Sequence, residues 1–185
     1  LAQPVPGVSA DDNPVDYATA RLSRVVHALR VDTPIVLDGR LTEPDWSRAE
    51  PATHFTQWNP RPGQPATYDT DARFLYDDDN LYVGIRCYDE DPDRIIARGL
   101  EREFASGNQD GVGLFFDSMH DNQTGFYFAT NPVGARHDFQ SAGDDTDRNA
   151  DWDGVWNVRV SIDDQGWIAE FVIPFKTLRF SDAPD

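Results

Sequence analysis

Residues 72–89, ARFLYDDDNLYVGIRCYD, decide the fold. Two alternating, apolar-rich runs flank Asp77, Asp78, Asp79 and Asn80. Such residues close turns because their short side chains bond to nearby backbone. The stretch therefore predicts an antiparallel hairpin. Its second arm carries Cys87, the single cysteine. A lone thiol has no partner for an internal disulfide or a multi-cysteine zinc site, and its apolar neighbours predict a buried, inert group.

Outward from this hairpin, short strand signals separated by turn residues dominate. They are VVHALRV (25–31), PIVLDG (34–39) and THFTQW (53–58) before it, then GVGLFFDS (111–118), GFYFATN (125–131), GARHDFQ (134–140), VWNVRVSID (155–163) and GWIAEFVIP (166–174). Helical signals are brief. TEPDWSRAEP (42–51) predicts a turn or two, capped by Thr42 and stopped by Pro51. DPDRIIARGL (91–100) predicts a short helix with Asp91 as cap and Pro92 first, and PFKTLRF (174–180) a last helical turn. Many short strands with scraps of helix predict an all-β fold, an antiparallel β-sandwich with short helical turns. Residues 1–22 read as a flexible leader, and LAQ at the start suits the region of a signal-peptide cleavage point. Residues 23–185 read as the sandwich. Its ending, SDAPD, suggests that the last strand or strands are missing. An open sheet edge would then invite an edge-strand dimer.

The chain carries 16 basic and 33 acidic residues, a formal charge of −17 and a pI near 4.3. That field repels nucleic acid and anionic membranes and attracts cations such as calcium. Asp145, Asp147, Asn149, Asp151 and Asp153 alternate through the acidic loop GDDTDRNADWDG (143–154), so in an extended loop they share one side and form a candidate calcium site. The EF-hand pattern fails, because Ala150 stands at its sixth position and Trp156 at its twelfth. The alternative is a solvated turn in which the Asp residues cap backbone N–H groups. The four histidines lack zinc spacing, and Met119 lies in the turn DSMHDNQ, a poor place for a haem ligand. Neither haem nor a nucleotide is expected. No G-x-S-x-G motif occurs, and no pair of carboxylates stands out for glycosidase chemistry, so an enzyme is not expected.

Sugars are held by aromatic faces and planar polar groups. Of the five tryptophans, Trp46, Trp156 and Trp167 sit in strand or helix patterns and belong to the core. Trp58 and Trp152 border loops and are candidate ligand contacts, with Arg86 and Arg136 as hydrogen-bonding partners. Around Gly154, which suits a tight turn, the strand should turn Trp156, Val158 and Val160 inward and Asn157 and Arg159 outward.

The order of these segments resembles the carbohydrate-binding modules of family 9. The likeness is carried by IVLDGRLTEPDWSRAE (35–50), DARFLYDDDNLYVGIRCYD (71–89), DGVGLFFDS (110–118), TGFYFATNPVG (124–134) and GWIAEFVIPFKTLRF (166–180). NPVGARHD (131–138), DWDGVW (151–156) and IPFKTLRF (173–180) resemble more closely a bacterial family of unknown function, in which this domain precedes a predicted outer-membrane β-barrel. The resemblance implies a non-catalytic module that binds a glycan or oligosaccharide, at the N-terminus of an exported protein of the periplasm or outer membrane of a Gram-negative bacterium. It equally allows a structural or interaction domain that packs on the following barrel and has lost sugar binding. In the family's sugar clamp, the first Trp position falls near Phe104, the Glu position at Gly113, the Arg position at Ala129 and the Asn position at Asn131. The second Trp would lie beyond Asp185. Asn131 is the clamp residue that this sequence retains.

Overall fold

A computed structural model of the chain describes residues 24–102, 104, 109–143 and 147–179. Nine strands lie among them: β1 (Leu29–Arg30), β2 (Thr70–Tyr76), β3 (Asn80–Tyr88), β4 (Val112–Phe116), β5 (Gly125–Thr130), β6 (Arg136–Ala142), β7 (Asp147–Asn149), β8 (Asn157–Asp163) and β9 (Gly166–Pro174). They form a five-stranded sheet, β1-β2-β3-β9-β8, and a four-stranded sheet, β4-β5-β6-β7. Every pairing is antiparallel except the short β1 against β2. The predicted hairpin is β2–β3, with Thr70 opposite Cys87 and Tyr76 opposite Leu81. Asp77 closes its turn as expected, its Oδ1 accepting the Asp79 and Asn80 N–H groups and its Oδ2 the Tyr82 hydroxyl at 2.7 Å.

The two sheets join through aromatic side chains. Val155 is exposed and Trp156 buried, followed by exposed Asn157 and buried Val158, the alternation expected of this strand. The Trp156 ring stacks on Phe171 of β9 at 5.9 Å and meets Phe128 of β5 edge-on at 5.4 Å. Val83, Ile85, Trp167, Ala169 and Ile173 complete this core from the larger sheet, and Phe126 from the smaller. Each such side chain contributes about 1.5–3 kcal/mol when withdrawn from water.

The larger sheet is covered on its other face as well. Residues 31–49 cross that face as a strap, burying Val31, Ile35, Trp46 and Ala49 against Leu75 and Tyr82. Gly84 of β3 makes the approach possible: a Cβ there would stand 2.6 Å from a Leu41 methyl and 2.9 Å from the Trp46 ring. At the Asp38-Gly39 turn, Glu170 Oε2 accepts both backbone N–H groups, at 2.9 and 2.8 Å, and Ser161 Oγ donates to the Gly39 carbonyl at 2.7 Å. Gly39 has φ +82°, and a Cβ on it would meet the Val160 backbone at 3.0 Å, so only glycine fits here. The central strands are therefore buried on both faces, and β9 shows a continuous run of buried residues instead of an alternation.

The strap also explains where strand signals misled. Of VVHALRV only Leu29–Arg30 pairs, and PIVLDG forms no strand, because this segment lies across the sheet and directs its N–H groups to Glu170 and Glu43. THFTQW makes only an isolated bridge, Thr56 with Pro65. In helix α1 (Pro44–Arg48) the N-cap position is Glu43 and not Thr42, without a side-chain cap hydrogen bond; Pro44 presets the first helical φ one residue later than expected. Pro92–Arg94 is a single 3-10 turn with Asp91 as its cap. β7 forms within the acidic stretch, where a loop was expected. The leader and the expected missing strand fall outside the described residues.

Burial pushes the Glu170 carboxyl up from its ordinary 4.5 to about 7, against the pull of the two backbone N–H groups. A group raised in the folded state stabilises fully below pH 4.5, and that contribution is lost as pH rises through about 7. The difference is worth roughly 3 kcal/mol. Glu170→Gln keeps an acceptor for the Asp38 and Gly39 amides and removes the charge. Urea denaturation should show the variant gaining on the parent progressively between pH 5 and 8. Parallel pH profiles would contradict this placement of Glu170.

Candidate functional site

Where the strap leaves the larger sheet uncovered, a groove of about 550 Å³ opens. Arg73, Arg86, Tyr88, Ile168, Ser161 and Asp163 come to it from four adjacent strands, and Arg40, Thr42 and Ser47 from the strap and α1. Alternation explains the placement: Ile85 and Cys87 belong to the inner core, so Arg86 and Tyr88 face the other way. Arg86 forms a bidentate pair with Asp163 at 3.0 and 2.9 Å, and its guanidinium lies 5.9 Å from the Tyr88 ring centre. This pairing holds the Asp163 carboxyl below the usual carboxylate range. Arg73 has one long contact, to Asp71 at 3.4 Å, and its buried Nε has no partner. The volume is within the range of small-ligand pockets, about 300–1,000 Å³.

The acidic turn is organised around Arg102. Its guanidinium contacts Asp153 and donates to Asp138 at 2.9 Å; Asp138 is fully buried, and its other oxygen accepts the Gly154 N–H at 2.7 Å. Hydrogen bonds to Asp153 and Asp138 hold Arg102 firmly protonated. Asp147 and Asn149 lie in β7, Asp151 is exposed in the turn, and Asp145 lies outside the described residues. Among the described residues, no three His, Cys, Asp or Glu side chains gather closely enough to hold a metal ion.

The candidate ligand contacts separate widely. Arg86 lies in the groove, and Trp58 is 74% exposed in the loop before β2. Trp152, expected at the surface, packs on Phe126 at 5.1 Å and Phe128 at 5.8 Å, because the turn folds back over the sheet end. Arg136 donates to the Trp156 carbonyl at 2.8 Å and lies 5.6 Å from that ring's centre, tying β6 to the start of β8. Trp46, Trp156 and Trp167 are in the core as expected, at most 4% exposed. Burial pushes the Cys87 thiol up to about 12, in keeping with an inert group. Glu170, whose raised carboxyl would suit a general acid, is sealed beneath the strap.

The profile of the family described as carbohydrate family 9 binding domain-like matches residues 37–185. The chain belongs to this family. Two solved structures of a family 9 carbohydrate-binding module from Caldicellulosiruptor kristjanssonii share the fold. The one in complex with cellotriose is 17% identical with a TM-score of 0.55, covering 85% of this chain and 69% of that one. The one in complex with glucose is 16% identical with a TM-score of 0.52, covering 86% and 72%. No curated protein sequence matches the chain.

In this family 9-like domain the positions that the resemblance aligns with a clamp, Gly113 and Ala129, lie on the outer face of the smaller sheet. A Cβ on Gly113 would meet the Tyr127 hydroxyl at 2.5 Å, so the tyrosine occupies the space of the expected Glu. Tyr127 in turn stacks on Phe139 at 4.6 Å. Ala129 is buried, and Phe104 packs beside it. Asn131 is fully buried: its Nδ2 donates to the Gly99 carbonyl and Gln109 Oε1, and its Oδ1 accepts the Val133 and Ala135 N–H groups. All four of its hydrogen-bonding positions are used, which makes it a turn lock with nothing left for a ligand.

The sequence reading missed Arg40, Arg73, Tyr88 and Asp163. The alternation that places Arg86 and Tyr88 together was readable, whereas the approach of Arg40 depends on the strap crossing the sheet.

With Arg102 paired to Asp138 and Asp153, EDTA should leave the melting midpoint unchanged. Arg102→Met should lower stability by about 3–5 kcal/mol, since it strands the buried Asp138 carboxylate. A midpoint that falls with EDTA and returns with calcium would place an ion in the turn instead.

Proposed function

We propose that this domain is a non-catalytic, extracytoplasmic binding module of the carbohydrate-binding type, forming the N-terminal part of a larger exported protein of a Gram-negative envelope. The observation that carries the reading is the groove on the larger sheet. It combines an aromatic side chain, apolar floor residues and fixed polar groups, the mixture that recognises sugar C–H faces and hydroxyls. Membership of a carbohydrate-binding family supports the class of ligand.

A second reading is favoured by one observation, the filling of the clamp positions by Tyr127 and Asn131. It makes the domain a structural or interaction unit that packs on a following β-barrel, or pairs edge to edge with another chain. A glycan array followed by calorimetry separates the two. The first reading predicts heat with at least one oligosaccharide, weakened at least tenfold by Tyr88→Ala. Absence of binding to every glycan would leave the second.

A further inference from the structure

We propose that the groove on the larger sheet selects an acidic saccharide, a short oligosaccharide of hexuronate residues, whose carboxylate is taken by Arg40 and Arg73. This rests on the reading of the domain as a carbohydrate-binding module and adds the chemical class of the sugar.

Charge is the first observation. The groove is lined by three arginines, Arg40, Arg73 and Arg86, against the lining carboxylate Asp163 and Asp71, which lies 3.4 Å from Arg73 and accepts the Tyr88 hydroxyl at 3.3 Å. This is a local inversion in a chain whose formal charge is −17. At physiological ionic strength the screening length is about 8 Å, so carboxylates elsewhere on the surface act weakly on a ligand seated there.

The second observation is which guanidinium groups are already committed. Arg86 is neutralised by its bidentate pair with Asp163, which leaves that pair as a planar polar surface for hydroxyl groups. Arg40 is exposed, and its side chain makes no hydrogen bond or ion pair with a described residue; only its backbone N–H is engaged, by Asp38. Arg73 reaches only Asp71, at 3.4 Å, and its Nε is unpartnered. Two guanidinium groups with unfilled donors line one groove. A guanidinium presents parallel N–H groups in the geometry of a carboxylate, which an ammonium does not.

The third observation concerns the rest of the sugar. Tyr88, Ile162 and Leu41 offer apolar surface to the ring, and Thr42 and Asp163 can meet its hydroxyls. A neutral sugar offers these donors only hydroxyl and ring oxygens, which are weaker acceptors for a guanidinium than a carboxylate. A long polyuronate would be repelled by the overall charge, so a short oligosaccharide or a chain end is the form expected.

The test is calorimetry on the full chain with trisaccharides of galacturonate, mannuronate or glucuronate, with cellotriose as the neutral control and inorganic phosphate as the bare anion. At least one uronate should bind at least tenfold more tightly than cellotriose. Arg40→Ala, an exposed position, should weaken that uronate at least tenfold, and Arg73→Gln should do the same with an unchanged melting midpoint. Cellotriose binding as tightly as the uronates and indifferent to Arg40→Ala would overturn the acidic specificity while leaving the carbohydrate-binding reading intact. Phosphate matching the best uronate would overturn it in favour of a simple anion site. No binding of any sugar would overturn both.

Discussion

Glu170 sits in β9, a central strand of the larger sheet, and one of its oxygens receives the N–H groups of both Asp38 and Gly39. A carboxylate with no access to solvent is costly, and here the backbone of the crossing segment offsets part of that cost. Around this contact the strap is fitted closely. Gly39 rests against Val160, Leu41 and Trp46 rest on Gly84, and Ser161 holds the Gly39 carbonyl. Without these contacts Leu75 and Tyr82 would face water, and a sheet built to be buried on both faces would have one face bare.

The strap also makes the groove. It covers one part of the sheet's outer face and stops short of Arg86, Tyr88 and Asp163, so its edge, with Arg40 and Thr42, becomes the groove's wall. The smaller sheet has taken a different course. On its outer face aromatics lie over the glycines: Tyr127 over Gly113, and the half-exposed Phe115 over Gly125, where a Cβ would come within 2.3 Å of the ring. A residue too small to cover its own neighbourhood is covered by a diagonal partner on the next strand. The groove lies on the opposite side of the sandwich from these residues.

Much of this fold was legible in the sequence because β2, β3, β5, β8 and β9 follow a period of two or a continuous apolar run, bounded by turn residues. The inward direction of Trp156 followed from the same alternation. The failures share a cause, which is tertiary context. PIVLDG has the composition of a strand, yet its neighbours in space are side chains of a sheet face and not a parallel or antiparallel partner. Trp152 stands in a polar turn, and only the fold of that turn onto Phe126 reveals that it packs, half-buried, against the core. Asn131 matches the family's sugar-contact position in sequence, but its four internal hydrogen bonds are visible only in three dimensions. The site was the least legible part, because its residues come from segments as far apart as Arg40 and Asp163.

The Asp38-Gly39 turn is an integral part of the larger sheet, fixed by Glu170, and not a loop laid loosely over it. Native-state hydrogen exchange reads this directly at the two amides that Glu170 accepts. They should exchange only with the opening that also exposes the amides of β3 and β9, and so carry the same protection as Ile85 and Phe171. Exchange at Asp38 and Gly39 as fast as at the exposed turn residue Asp78, while β3 and β9 stay protected, would contradict the account.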